Sequence, residues 1–134
     1  ALEQFKKALD INLQAKRFEE AASNYYMIGS VYSRQGGYGQ ALEALEQALR
    51  YDHLMENSLG IAKDLYALGV LHEKTGDPQA ALEKYRKSFQ VYRSLSLNSE
   101  AARLLPSLIQ LAEKNGLTAE AQSYRRLQEE LKGQ

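Results

Sequence analysis

Cysteine and tryptophan are absent from the 134-residue chain, and proline occurs only twice. Without cysteine there is no disulfide, no zinc–thiolate site and no thiol nucleophile. An excess of charge of one sign is also missing, because 17 Lys+Arg balance 17 Asp+Glu. No overall field therefore draws the chain toward nucleic acid or an acidic membrane, and neither is expected as a partner. No apolar run approaches the roughly 20 residues that a membrane-spanning helix needs. With no signal or transmembrane segment in this chain, the expected localisation is cytoplasmic.

Catalytic equipment is equally sparse. The two histidines, His53 and His72, have no carboxylate or second histidine at metal-ligand spacing. Glu19-Glu20 and Glu129-Glu130 read as solvated helix surface rather than as paired catalytic acids. No serine stands in a Gly-x-Ser-x-Gly turn. The expectation is a protein that is not an enzyme and carries no cofactor or metal.

What is present is a helical vocabulary: abundant Ala, Leu, Glu, Gln, Lys and Arg, with nine tyrosines against three phenylalanines. The fold class is all-α. The segment Gly36-Gly37-Tyr38-Gly39 opens one of the helices, and a glycine-rich loop in that place can cradle phosphate. An internal repeat argues otherwise. Shifted by 40 residues, the chain lies on itself: Gly36 falls on Gly76 and then on Gly116, and Gly29 falls on Gly69. The later copies keep one turn glycine each and have no Lys-Ser/Thr after it. The glycines are therefore helix stops, following Arg34, Lys74 and Lys114. Asp77-Pro78 and Thr118 suit the cap and first turn of the next helix.

Each unit reads as two helices. Ala22, Tyr25, Ile28, Gly29 and Tyr32 recur at helical spacing, matched by Ala62, Leu65, Leu68, Gly69 and His72. In the second helix Ala41, Leu42, Leu45, Ala48 and Leu49 are matched by Ala81, Leu82, Tyr85, Ser88 and Phe89. The spacing gives about seven helices, divided into a half repeat 1–17, repeats 18–57 and 58–97, and a C-terminal capping repeat 98–134. Pro106, which lacks an N–H, should kink or thin its helix.

Tyr25-x-x-Ile28-Gly29-x-x-Tyr32 followed by Ala41-x-x-x-Leu45 resembles the tetratricopeptide repeat. Leu65-x-x-Leu68-Gly69-x-x-His72 with Ala81-x-x-x-Tyr85 repeats the likeness, and Leu105-x-x-Leu108 with Ala121 is a weaker copy. His53 and Arg93 stand where the family usually ends a repeat with proline, and the 40-residue period exceeds the family's common ~34. Both features are similar to the long-repeat subgroup of kinesin light chain and the Pins-type adaptors. The resemblance implies an α–α superhelix, right-handed, with the first helix of each repeat lining a concave groove for a protein or peptide.

Carried over residue by residue, the inward stripe holds Ser23, Tyr26, Ser30, Ser33 and Arg34, then Lys63, Tyr66, Val70, Glu73 and Lys74. The third unit adds Arg103, Pro106, Gln110, Glu113 and Lys114. Tyr26, Ser30, Arg34, Lys63, Tyr66, Val70, Lys74, Arg103 and Gln110 are the candidate groove residues, and their basic excess suits an acidic ligand. The dicarboxylate clamp of chaperone-binding relatives has Lys and Asn where Tyr26, Ser30, Tyr66 and Val70 stand here. The asparagine-rich groove of the Pins-type adaptors is missing as well.

The two ends differ from the middle. Gln122, Arg125 and Glu129 replace the apolar set Leu82, Tyr85 and Phe89, as expected of a cap. Leu2, Phe5 and Leu9 form an apolar face on the first helix. That face implies a piece of a longer chain, or an end that a second copy covers. The alternative function is thus a regulatory or self-association segment of a larger signalling protein or enzyme.

Overall fold

The computed structural model describes residues 1–132. Seven helices follow one another, all antiparallel neighbours: α1 (Leu2–Gln14), α2 (Phe18–Arg34), α3 (Tyr38–Leu54), α4 (Ser58–Lys74), α5 (Pro78–Ser94), α6 (Asn98–Lys114) and α7 (Thr118–Lys132). The described residues contain no strand. From α2 onward a new helix starts every 20 residues, so the 40-residue repeat is two equal steps.

The step is imposed by one device used six times. Lys16, Gly36, Glu56, Gly76, Ser96 and Gly116 all adopt positive φ, between 54° and 82°. In each case the left-handed residue donates its N–H to the carbonyl three residues back, and its successor reaches five back: Gly36 N to Ser33 O at 3.2 Å and Gly37 N to Tyr32 O at 2.8 Å. This is the Schellman ending, which pairs carbonyls that the helix end would leave unsatisfied. The phosphate-loop reading of Gly36–Gly39 fails here, since Gly36 terminates α2 and the next helix begins at Tyr38. Asp77 caps α5, accepting from Ala80 N at 3.1 Å, with Pro78 in the first turn; Thr118 is the first residue of α7.

Alternate turns place a side chain where glycine serves best. Ser96→Gly and Glu56→Gly are each expected to raise stability by about 0.5–1 kcal/mol, because a Cβ at positive φ is strained. Gly76→Val should lower it by about 1 kcal/mol or more for the same reason. Nothing lies within 4 Å of a Cβ added at Gly76, so conformation alone is tested. Urea melts of the three variants read this directly.

Pairing of α2 with α3 and of α4 with α5 is tighter than pairing between units. Gly29 lets α2 approach α3 so closely that an added Cβ would sit 2.8 Å from Leu45 Cγ, and Gly69 does the same against the Tyr85 ring. The equivalent position in the third unit is Ile109, and α7 packs less intimately on α6 as a result. Around Tyr85, Leu105 and Leu108, one core cluster runs from α4 through α6, joined by Tyr124, Leu127 and Leu131 of α7. A smaller cluster of Ala41, Leu45, Leu68 and Leu71 ties α3 to α4.

The last helix, α7, has a displaced apolar face. Gln122, Arg125 and Glu129 are exposed, while Arg125 pairs with Glu113 on α6. Arg86 of α5 grips Glu120 of α7 through two hydrogen bonds of 2.6 and 2.5 Å, and Tyr124 donates to the same carboxylate at 2.7 Å. Burial and that bond push the Tyr124 phenol up to about 12. Pro106 stands exposed in the interior of α6, which runs on unbroken around it. The thinning amounts to one lost bond, because the carbonyl of Ala102 faces no N–H at position 106.

Candidate functional site

The first helices of the three units, α2, α4 and α6, present their second stripe side by side. Three adjoining depressions lie along it. Ser23, Tyr26, Lys63 and the acids Asp52 and Asp64 border the first, of about 280 Å³. Next comes one of about 220 Å³ between α2 and α4, lined by Tyr26, Ser30, Ser33, Arg34, Tyr66, Val70 and Lys74. The third, about 140 Å³, is formed by Tyr66, Tyr92, Glu100, Arg103 and Leu104. Tyr26 walls the first from the second, and Tyr66 the second from the third.

Eight of the nine residues expected in the groove therefore border these depressions. Gln110 does not: it is exposed, beyond the third hollow toward the C-terminal end of α6. Lys74 bridges the units, donating from Nζ to Ser33 Oγ at 3.2 Å. Tyr66 is 42% exposed and leans on the Tyr85 ring, centroids 5.7 Å apart. Tyr85 in turn donates to Glu73 at 2.6 Å. Glu73 thus supports the core tyrosine that backs Tyr66. Burial first, and then the neighbouring Asp64 and Tyr66, raise the pKa of Tyr26, which stays a neutral hydrogen-bonding phenol.

Four residues here escape a stripe-by-stripe reading of the sequence: Asp52, Asp64, Tyr92 and Glu100. Tyr92 belongs to α5, a second helix, yet reaches the third hollow. Asp52 and Asp64 are buried, at 4% and 1% exposure. Their positions, one repeat earlier, are held by Asn12 and Asn24, whose side chains hydrogen-bond at 2.7 Å across α1 and α2. One repeat later they are Tyr92 and Leu104, both in the core cluster. The repeat shift thus contains the signal: a polar pair recurs where each second helix meets the next first helix, and turns apolar only in the last unit.

A larger hollow lies elsewhere. It measures about 730 Å³ and runs between α1, α2 and α3, with Leu9, Tyr25 and Ile28 beneath a rim of Lys6, Asp10, Glu43 and Arg50. Lys6 sits 5.4 Å from the centre of the Tyr32 ring. No group of three or more His, Asp or Glu able to hold a metal occurs among the described residues.

The fold defines a class, that of all-α helical-repeat proteins with a tetratricopeptide-like superhelix. The tetratricopeptide repeat family matches residues 26–89, from the first groove tyrosine to the end of the second full unit's apolar stripe. Among curated proteins, the photosystem I assembly protein Ycf3 of Synechococcus sp. (strain CC9311) is 31% identical over 119 residues. That alignment covers 89% of this chain and 61% of the relative, so the chain spans less than two thirds of its length. Tetratricopeptide repeat protein 29 of Trypanosoma brucei brucei is 32% identical over 82 residues, 61% of this chain and 17% of that protein.

Solved structures share the architecture. BtubC (BKLC) from P. vanneervenii superposes with a TM-score of 0.86 at 14% identity, over 98% of this chain and 55% of that one. A Rap protein complexed with competence and sporulation factor gives 0.83 at 18% identity, over 97% and 36%. At these identities the likeness is one of fold. No described helix is long and apolar enough to cross a membrane.

Proposed function

We propose that the chain is a non-catalytic adaptor that binds a protein or peptide segment along the groove formed by α2, α4 and α6. One observation carries this reading: three contiguous depressions are divided by Tyr26 and Tyr66, which stand one repeat apart. An extended segment crossing both tyrosines would place successive side chains in successive hollows. Tyrosine offers a broad contact at low entropy cost and keeps a hydroxyl for the peptide backbone. Arg34 and Lys74 border the middle hollow and Arg103 the third, so acidic side chains are favoured there. The similarity to photosystem I assembly proteins supports a role in holding other proteins during assembly. Membership of the long-repeat subgroup and the cytoplasmic placement remain part of this proposal.

The test is a peptide-array screen with the wild type, followed by titration of the best binder. Tyr66→Ala should weaken binding by about 1–3 kcal/mol, the cost of losing an aromatic anchor. Raising the salt concentration should weaken it further. Full binding by Tyr66→Ala would place the ligand on another face.

A second reading, self-association through α1, has its own support. No residue of α1 is buried, Ile11 is 62% exposed, and the hollow of about 730 Å³ lies alongside. Sedimentation distinguishes the two, since a dimer broken by Ile11→Glu would favour assembly over groove binding.

A further inference from the structure

The depression at the junction of the 18–57 and 58–97 units contains an electrostatic debt. Asp52, from the last turn of α3, and Asp64, from the second turn of α4, meet beneath it, both nearly sealed from solvent. Asn57 Nδ2 donates to Asp52 Oδ1 at 3.3 Å. Asp64 Oδ2 has no hydrogen-bond partner among the described residues. The backbone is shaped around the pair: a Cβ at Gly60 would lie 2.5 Å from the Asp52 carboxylate. The equivalent junctions hold a self-satisfying amide pair, Asn12 with Asn24, or Tyr92 and Leu104 of the core cluster. Only here, among the described residues, does it hold two acids, and this junction opens onto the groove stripe between Tyr26, Ser23 and Lys63.

We propose that this cleft is a receptor for a guanidinium group, the side chain of an arginine in the bound segment. The inference rests on the groove reading only for the source of that arginine. At about 280 Å³ the cleft falls just below the range typical of whole small-molecule ligands and suits one long side chain. Two carboxylates facing one cavity present the acceptor pattern that a planar fork of N–H donors satisfies bidentately. A hard dication would want six or more oxygens and finds two acids. Burial and the neighbouring Asp52 hold the Asp64 carboxyl well above the usual carboxylate range, while Lys63 opposes them. A guanidinium entering the cleft would displace the proton that the pair retains. Tyr26, with its phenol at the rim, would cover the stem. The expected ligand is therefore a mixed one, an arginine at this end and acidic residues toward Arg34, Lys74 and Arg103.

The probe is N-acetyl-arginine methylamide, titrated into the isotope-labelled protein while the amide signals of Asn57 and Gly60 are followed by NMR. Saturable shifts at these two positions are expected, with the neutral citrulline analogue giving none. Binding should tighten as the pH is raised, and proton release should be detectable by calorimetry in buffers of different ionisation enthalpy. Asp64→Asn, checked for its fold by circular dichroism, should bind at least about tenfold more weakly, since it removes one charge from the pair. Equal shifts from citrulline, undiminished binding by Asp64→Asn, or the same shifts from calcium ion instead of the arginine derivative would each overturn the proposal. Because the probe needs no peptide, Tyr66→Ala should leave its binding unchanged. A failed peptide screen and a failed cleft are thereby told apart.

Discussion

Leu65→Ala should lose about 2–5 kcal/mol of stability, the range for truncating a buried leucine that leaves a cavity its neighbours cannot fill. Its neighbour should behave differently. Leu65 is 5% exposed and Tyr66 is 42% exposed, although the two are adjacent on α4. Tyr66→Ala removes one tilted ring contact with Tyr85, worth about 1 kcal/mol. Thermal and urea melts of both variants give the comparison. Equal losses would mean that the two stripes of α4 have been assigned wrongly, and that the groove face is part of the core.

Asp64→Asn is expected to make the protein more stable at neutral pH, by about 1–3 kcal/mol, the cost of leaving a buried polar group unsatisfied. An amide there can donate to the Asp52 carboxylate, and an amide also bridges the same junction one repeat earlier, where Asn12 donates to Asn24. The pH dependence gives the sign. Asp64 holds its proton in the fold to well above the ordinary value of 3.8. Below that value folded and unfolded chains are both protonated, and Asp64 costs nothing. Above it the unfolded chain releases a proton that the fold retains, so the wild type loses stability as pH rises. The Asn variant lacks this slope. The gap between the two should widen from pH 4.5 to pH 8 at no more than about 1.4 kcal/mol per pH unit. A constant gap would show that Asp64 ionises normally in the fold. A residue that weakens its own fold where an asparagine would strengthen it fits a binding role, because strain of this kind persists at functional sites.

Much of this was legible in the order of the residues alone. Helix number, the stops at Gly36, Gly76 and Gly116, and the core stripe from Ala62 to Gly69 follow from periodicity and from the conformational freedom of glycine. Those signals are local, repeated, and written in residue types with a single dominant use. The polar face of α7 was equally readable, since Gln122, Arg125 and Glu129 stand where two earlier copies are apolar.

Other features depended on the three-dimensional packing. Lys16, Glu56 and Ser96 adopt the same left-handed turn as the glycines, but nothing in their side chains announces it; the packing of consecutive helices compels it. Asp52 and Asp64 lie 12 residues apart on different helices, each resembling an ordinary surface acid in its own stretch. Only the junction of two units buries them together, which holds the Asp64 carboxyl well above the usual carboxylate range and opens a cleft onto the groove. Tyr92 reaches the groove from the second helix of its unit for the same reason: the hollow it borders lies where α4, α5 and α6 converge. Residue types and spacing determined which faces are apolar and where each helix ends. The meeting of faces from different repeats decided which polar groups lose their water, because desolvation is a property of the assembled surface and not of any segment.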